Sequence, residues 1–107
     1  MSVITLPRVI EQFVTTHNAH DTDALLAMFA PGAVVTDDGH TFATEAEIRG
    51  FIQGHLVDPK IVISPISYED DRLVASCDGD FPGGPLTFAF LFETEGDAIT
   101  HLAIVAA

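Results

Sequence analysis

The sequence predicts an α+β fold in which three helices near the N-terminus pack on a curved, mainly antiparallel sheet. In the first half of the chain, apolar residues recur at spacings of three and four, which is typical of amphipathic helices. From Lys60 onward, segments rich in β-branched and aromatic residues are separated by turn-forming residues, which is typical of antiparallel strands. Helices collected on one side of such a sheet define the α+β class.

The first two helices are separated by a short polar break. In LPRVIEQFVTTH, the apolar stripe includes Phe13 and continues into His17. After the break, Asp21 is a suitable N-cap for a short helix in TDALLAMF. The APG that follows is expected to end this second helix.

The third helix is predicted by its first residues and by its apolar face. Thr44 and Glu47 have the T-x-x-E spacing of a capping box. The apolar face includes Phe51 and ends at His55. Two of the predicted helices therefore carry a histidine at the end of an apolar stripe.

Five strands are predicted. One is AVVTD, between the second and third helices, and four follow as a meander: KIVISPISY, RLVASCD, LTFAFLFE and AITHLAIVA. The third meander strand has apolar residues on both faces, with Leu86, Phe88, Phe90 and Phe92 on one and Ala89 and Leu91 on the other. A sheet covered on one side only should alternate more regularly. We therefore expect the second face to contact another subunit, the alternative being an apolar surface exposed to solvent.

Length, charge and cysteine content limit the classes of function. A chain of 107 residues with 48% hydrophobic content is enough for one domain, spanning residues 1–107. The formal charge of -12 would repel nucleic acids and anionic membranes, so neither is expected as a partner. The lone Cys77 cannot form an internal disulfide. No signal-peptide pattern and no apolar run near 18 residues is found, so we expect a cytoplasmic protein.

Two longer stretches carry a resemblance to a known family. FVTTHNAHDTDALLAMFAPGAVVTDDG followed by TEAEIRGFI resembles the nuclear transport factor 2-like superfamily, in particular its SnoaL-like polyketide cyclase branch. GDFPGGP and FETEGDAITHLAI are similar to bacterial members of the same branch. The resemblance implies a cone-shaped fold, a pocket between helices and concave sheet, and a homodimer packed through the outer sheet face. It does not select one activity, because this scaffold serves enzymes as well as binding proteins.

Asp37 is the first candidate for a catalytic role. The resemblance places it at the position of the general base of ketosteroid isomerase. Strand alternation sends Asp37 to the same face as Val35, and an apolar pocket would raise its pKa and suit it to taking a proton. The alternative is that Asp37 and Asp38 simply begin a tight turn at Gly39.

The same comparison excludes a ketosteroid isomerase in the strict sense. The positions that match its two oxyanion donors hold Phe13 and Phe88, and neither side chain can donate a hydrogen bond. We expect both rings to contact a bound ligand instead. Acid/base chemistry in general is not excluded.

Three histidines are predicted to face the interior. His17 and His55 end helical stripes, and His101 is expected to share a strand face with Ile99 and Ala103. An imidazole beside a cavity can act as a general base near neutral pH. The alternative for each is a neutral, buried histidine with one backbone partner.

A metal site is not expected. His17 and His20 are three residues apart, but the helix is predicted to end near Asn18, which would turn His20 away from its partner. No HxH, HExxH or paired-cysteine pattern is present. His20 and His40 are expected to lie in loops facing water, and no cofactor is expected.

The strand before GDFPGGP gives a second polar cluster. Ser76, Asp78 and Asp80 are predicted on one face of it, either as ligand contacts or as a solvated strand end. Cys77 lies on the opposite, apolar face, where a buried thiol is usually inert. The GDFPGGP loop is expected to lie over the mouth of the cone.

The sequence is compatible with three functions. The first is a module that binds a small, mostly apolar molecule in the cone. The second is a cofactor-independent acid/base enzyme of the cyclase, isomerase or dehydratase type, acting on a hydrophobic carbonyl compound. The third is a dimeric interaction protein with a filled core. The candidate catalytic residues are Asp37 and His17, and the candidate ligand-binding residues are Phe13, Phe51, His55, Ser76, Phe88 and His101.

Overall fold

The computed structural model describes residues 5–81 and 83–107 of the chain. In chain order the elements are α1 (Arg8–Asn18), α2 (Thr22–Leu26), β1 (Phe29–Asp37), β2 (His40–Phe42), α3 (Glu45–Phe51), a π-helix (Ile52–Val57), β3 (Val62–Glu69), β4 (Arg72–Asp78), β5 (Leu86–Glu95) and β6 (Ala98–Ala106).

The strands form one six-stranded sheet in the order β2-β1-β6-β5-β4-β3. Only the β1–β6 pair is parallel among the strand pairs of these described residues, and the other pairs are antiparallel. The α+β class and the mainly antiparallel sheet are therefore confirmed. The strand β2 was not predicted, because three residues are too few for a periodic pattern.

The caps of two helices are those that the sequence predicts. The backbone N–H of Ala24 donates to the side chain of Asp21 at 3.1 Å. Thr44 and Glu47 form a complete capping box, in which each side chain accepts from the backbone N–H of the other. These bonds satisfy N–H groups that have no partner within a helix.

The predicted end of the second helix is wrong. APG does not end α2, which stops at Leu26, and it lies instead within β1. Phe29 already pairs with Ile99 of β6, and the pairing is interrupted between Phe29 and Val34. Gly32 has a φ of 80°, which glycine adopts without strain, and this irregularity lets β1 bend.

A bulge in β6 changes the face on which His101 lies. On β5, Glu93 and Thr94 are adjacent, yet their partners on β6 are His101 and Ile99, so Thr100 is an extra residue. The bulge resets the alternation, and the buried positions after Ile99 are Leu102 and Ile104. The prediction that His101 shares a face with Ile99 is therefore wrong, and His101 lies on the outer face, away from the helices.

The core lies between the helices and the inner face of the sheet, which is the face toward the helices. Phe13 of α1 is 1% exposed, and its ring contacts Phe92 edge to face, with centroids 5.1 Å apart. It also contacts Phe90, at 6.0 Å. Phe13 thus joins α1 to β5 as a core residue.

A pair of hydrogen bonds attaches the end of α1 to β3. The side-chain amide of Asn18 donates to the carbonyl of Ile63 at 2.9 Å, and the N–H of Ile63 donates to the side-chain oxygen of Asn18 at 2.8 Å. Because His17 directly precedes Asn18, this bidentate contact also holds the backbone from which the His17 ring projects.

Apolar residues lie on the outer face of the sheet, opposite the helices. Cross-strand pairing places Val74, Ala89 and Val105 in one row and Leu91 and Ala103 in the next. Val105 is 43% exposed. None of the helices formed by residues 5–81 and 83–107 has the length and apolar character needed to cross a membrane.

Candidate functional site

A cavity of about 270 Å³ lies between the π-helix and the inner face of the sheet. Its apolar lining includes the rings of Phe51, Phe81, Phe88 and Phe90. Leu86, which is 45% exposed, also borders it. A concave site with an aromatic lining and few polar groups is typical of small-molecule sites.

The polar side chains at the cavity come from four different elements. His17 ends α1, Asp37 ends β1, His55 belongs to the π-helix and Cys77 to β4. Among the described lining residues there is no lysine or arginine. The structure therefore brings together five residues that the sequence predicts for the site: the polar residues His17, Asp37 and His55, and the rings of Phe51 and Phe88.

His17 is the most deeply buried of these polar groups. Its side chain is 1% exposed, and neither ring nitrogen has a hydrogen-bond partner in the described part of the chain. Burial, together with the nearby His20, lowers the pKa of His17 to about 4. The ring is therefore neutral at physiological pH, with one N–H donor and one acceptor nitrogen.

His20 contacts the backbone of the chain before β3. Its φ is 55°, so the chain leaves α1 in a left-handed conformation, and its Nε2 lies 2.8 Å from the carbonyl oxygen of Ile61. Because a carbonyl only accepts, Nε2 must carry the hydrogen. His20 lies in the turn after α1, as predicted, but its ring is partly buried against Ile61 rather than directed fully into water. His40 is exposed, as predicted, but it lies in β2.

Asp37 lies where β1 leaves the sheet. It pairs with His40 of β2 and Ile104 of β6, and its partly buried carboxyl lines the cavity. Burial raises the pKa of Asp37, while the positive charge that His55 can carry opposes this shift. The turn that follows uses Asp38 and Gly39, both with positive φ, as the Asp-Gly pattern predicts.

The π-helix places His55 at the edge of the cavity. Its wider turn brings the consecutive residues Gly54, His55 and Leu56 to the lining. The His55 ring is exposed on one side and stacks on Phe51, with centroids 5.3 Å apart and an interplanar angle of 21°. His55 is therefore oriented beside Asp37 without a direct ion pair being formed.

Cys77 borders the cavity as an unreactive thiol. It is 4% exposed, and burial raises its pKa to about 11, so almost no thiolate is present at neutral pH. This agrees with the prediction that Cys77 lies on the apolar face of its strand. The sequence did not predict it as a lining residue, although alternation from Leu73 and Ala75 indicated the correct face.

Three predicted ligand contacts do not reach the cavity. Phe13 is enclosed in the core, as described above. Ser76 pairs with Ser64 and Thr87 on the outer face, because Leu73, Ala75 and Cys77 occupy the inner face of β4. His101 is on the outer face because of the β6 bulge.

The loop after β4 closes one side of the cavity through Phe81. Gly79 lies so close to Ile61 and Pro59 that a Cβ atom would be 2.7 Å from each. The N–H of Asp80 donates to the carbonyl of Pro59 at 2.6 Å. The glycine therefore allows the loop to pack against the chain before β3. Pro82 of this loop lies outside the described residues.

No group of three or more histidine, cysteine or acidic side chains is arranged to hold a metal ion, as far as the described residues extend. The polar groups at the cavity are too few and too dispersed for a ligand set. What the arrangement can do is bind an apolar body and hydrogen-bond it, or move a proton at Asp37.

The fold and the site define a class of protein: a mixed α+β domain in which helices cover one face of a curved six-stranded sheet, with a cavity between the helices and the sheet. Residues 10–102 match the family model for the SnoaL-like domain. Because the match covers most of the chain, the protein belongs to the SnoaL-like domain family, as the resemblance in the sequence indicated. No curated protein matches the chain.

Solved structures support the same assignment. A protein from Sinorhizobium meliloti, provisionally assigned as a polyketide cyclase, is 29% identical with a TM-score of 0.82, covering 94% of this chain and 95% of that one. A protein from Catenulispora acidiphila with a ketosteroid isomerase-like fold, in complex with trimethylamine, is 21% identical with a TM-score of 0.80. The match covers 96% of this chain and 88% of that one. SalBIII, an epoxide hydrolase/cyclase-like enzyme of pyran-ring formation in salinomycin, is 16% identical with a TM-score of 0.73. The match covers 92% of this chain and 88% of that one. The last two show the fold alone.

Proposed function

We propose that the protein binds a small, mostly apolar molecule in the cavity inside the cone. The observation that carries this proposal is the cavity of about 270 Å³ with phenylalanine rings in its lining. Burial of apolar ligand surface contributes roughly 25 cal/mol per Å², so such a lining suffices for measurable affinity. Asp37, His17 and His55 orient the ligand.

The charges at the site restrict the ligand. Asp37 is the one acidic side chain among the described lining residues, and no basic side chain with a permanent charge accompanies it. The formal charge of -12 adds repulsion toward anions. The ligand is therefore uncharged or cationic rather than anionic.

Native mass spectrometry of gently purified protein, compared with the denatured mass, tests ligand binding. The matched variants are Leu86→Arg, which places a charge at the cavity, and Val62→Arg, at an outer-face residue that is similarly exposed at 43%. Extra mass present in wild type and Val62→Arg but absent from Leu86→Arg supports the proposal. If no extra mass appears and no neutral aromatic compound changes the thermal midpoint, the core is filled and the proposal fails.

A second candidate function is acid/base catalysis on a hydrophobic carbonyl compound. The observation that favours it is Asp37, whose pKa is raised by burial and whose carboxyl lies near His55. A carboxylate in this state can take a proton from carbon next to a carbonyl. The similarity to a provisionally assigned polyketide cyclase agrees with such chemistry.

Deuterium exchange into 1-tetralone in D2O, followed by NMR, tests this candidate without knowledge of the substrate. Catalysis predicts faster exchange at the carbon next to the carbonyl with wild type, and loss of the acceleration in Asp37→Asn. Asp38→Asn is the control, because Asp38 is exposed in the adjacent turn. Equal acceleration by wild type and Asp37→Asn would exclude Asp37 as the base, and a wild-type rate equal to that in buffer would leave the chain with binding alone.

We also propose that two copies pair through the outer sheet face. Val74, Ala89, Leu91, Ala103 and Val105 give this face a contiguous apolar centre. Burying such a patch against its own copy gives an isologous interface and leaves the cavity of each protomer open. An interaction protein that dimerises and has a filled core is the outcome if ligand binding fails.

A further inference from the structure

The most unusual group at the cavity is His17, because it is buried with both ring nitrogens unpartnered in the described part of the chain. A buried polar group without a partner lowers stability, so native proteins usually satisfy it. By contrast, His20 three residues later is bound to the Ile61 carbonyl. The ring of His17 is tilted by 57° against that of Phe13, with centroids 5.6 Å apart, and its side chain lines the cavity.

The surroundings of His17 determine which ligand group can satisfy it. The titratable groups that face the ring or the cavity are His20, Asp37, His55 and Cys77. Desolvation keeps the pKa of His17 low and that of Cys77 high, so both are uncharged at neutral pH. A carboxylate placed at His17 would find no lysine or arginine among the described lining residues and would lie in the same cavity as Asp37.

A hydroxyl group suits a neutral imidazole better than other common groups. A hydroxyl can donate to the unprotonated ring nitrogen or accept from the protonated one, so the tautomer does not need to be preset. The remaining surface of the ligand must be apolar, because Phe88, Phe90 and Ile104 line the cavity on the sheet side.

We propose that His17 recognises a hydroxyl group, and that the ligand class is therefore uncharged hydroxylated apolar compounds, such as phenols or alcohols. This inference rests on the proposed binding function and adds the ligand class to it. His17 acts as a specificity residue: it selects the hydroxylated compound over the parent hydrocarbon and over the carboxylate.

Three two-ring probes test the proposal: 2-naphthol, naphthalene and 2-naphthoate. Their own fluorescence reports binding with little interference, since the chain has no tryptophan and one tyrosine. With wild type we expect 2-naphthol to bind about three- to tenfold more tightly than naphthalene, the effect of one neutral hydrogen bond. 2-Naphthoate should bind most weakly.

The variants His17→Phe and Asp37→Asn assign the hydroxyl contact. In His17→Phe, naphthalene should still bind while the preference for 2-naphthol disappears. In Asp37→Asn, the preference should remain. Loss of the preference in Asp37→Asn with retention in His17→Phe would overturn the proposal, because Asp37 would then hold the hydroxyl.

A measurement on wild type covers the case in which His17→Phe does not fold. With 15N-labelled histidine, 2-naphthol should shift the ring nitrogen resonances of His17, and naphthalene should leave them nearly unchanged. Equal binding of naphthalene and 2-naphthol to wild type would overturn the His17 inference while the binding function stands. Failure of all three probes to bind would overturn both.

Discussion

His17 and Asp37 show how one physical cause acts on two residues in opposite directions. Burial disfavours the charged form of any group, so the pKa of His17 falls to about 4 while that of Asp37 rises. Both shifts reduce charge in the cavity. The cavity thereby remains suited to an apolar ligand even though these two titratable side chains are among those that line it.

The first prediction concerns stability at acidic pH. In the unfolded chain His17 titrates near 6.5 and in the folded protein near 4, so between these values the unfolded state binds more protons. Stability is therefore lost as pH falls from 7 to 4.5, by about 2 to 3 kcal/mol from this residue. Urea unfolding at both pH values should show a smaller loss in His17→Phe than in wild type. Equal losses would show that His17 is not neutral in the fold.

The second prediction concerns Asp37, whose contribution to stability changes with pH in the opposite direction. Because the pKa of Asp37 is raised in the folded state, the folded protein binds more protons than the unfolded chain at pH values just above the usual pKa of an aspartate. Stability therefore falls as the pH rises through this range and the carboxyl loses its proton. Asp37→Asn should therefore increase the free energy of unfolding at pH 7. Asp38→Asn, in the exposed turn, should change it by less than about 0.5 kcal/mol. A destabilised Asp37→Asn in chemical denaturation would contradict this account.

At the scale of elements, short polar contacts fix the geometry of the site. The Asn18 amide joins the end of α1 to β3, and the Thr44 capping box starts the helix that continues into the π-helix. The Asn18 contact holds the backbone next to His17, and the capping box starts the helical segment that contains His55. Neither contact touches the cavity, yet both determine where its polar groups lie.

The third prediction tests the Asn18 contact. Asn18→Ala removes both hydrogen bonds to Ile63 and should lower the free energy of unfolding by about 2 kcal/mol. Thr15→Ala, at an exposed position of the same helix, is the control and should have little effect. Asn18→Asp keeps the acceptor and loses the donor, so its free energy of unfolding should lie between those of Asn18→Ala and Thr15→Ala. An effect of Asn18→Ala no larger than that of Thr15→Ala would show that the contact contributes nothing.

The fourth prediction tests the cap of α3. Thr44→Ala removes the side-chain oxygen that accepts from the Glu47 N–H, and should lower stability by about 1 kcal/mol. Thr44→Ser keeps that oxygen and should retain most of the stability. Thermal unfolding by circular dichroism measures both variants, and equal midpoints for them would contradict the role of the cap.

At the scale of the whole molecule, the two faces of the sheet have different surroundings. The inner face forms the core and the cavity, and the outer face presents an apolar centre with no partner among the described residues. A net charge of -12 opposes unspecific association. The proposed pairing of two copies therefore requires a complementary patch.

The fifth prediction tests that pairing. Val105→Glu places a charge in the outer apolar row and should convert the proposed dimer to a monomer in sedimentation equilibrium. Thr15→Glu adds the same charge on the helical side and should leave the dimer intact. A wild-type monomer, or a dimer that Val105→Glu does not weaken, would exclude the outer face as the interface.

The sequence by itself determined the features that depend on neighbouring residues. Asp21 and the Thr44–Glu47 pair predicted their helix starts, and Asp38-Gly39 predicted the turn, because these bonds join residues a few positions apart. Alternation in AVVTD placed Asp37 on the face of Val35 without knowledge of any partner strand. The family resemblance also followed from residues alone.

Only the tertiary structure decided the rest. The bulge at Thr100 moved His101 to the outer face, and packing against β5 placed Phe13 in the core rather than at the cavity. The π-helix, which brings His55 and Leu56 to the lining, has no local signal in the sequence. The physical reason is that register and packing depend on strands and helices distant in the chain, and an extra residue in one strand reverses every side chain after it.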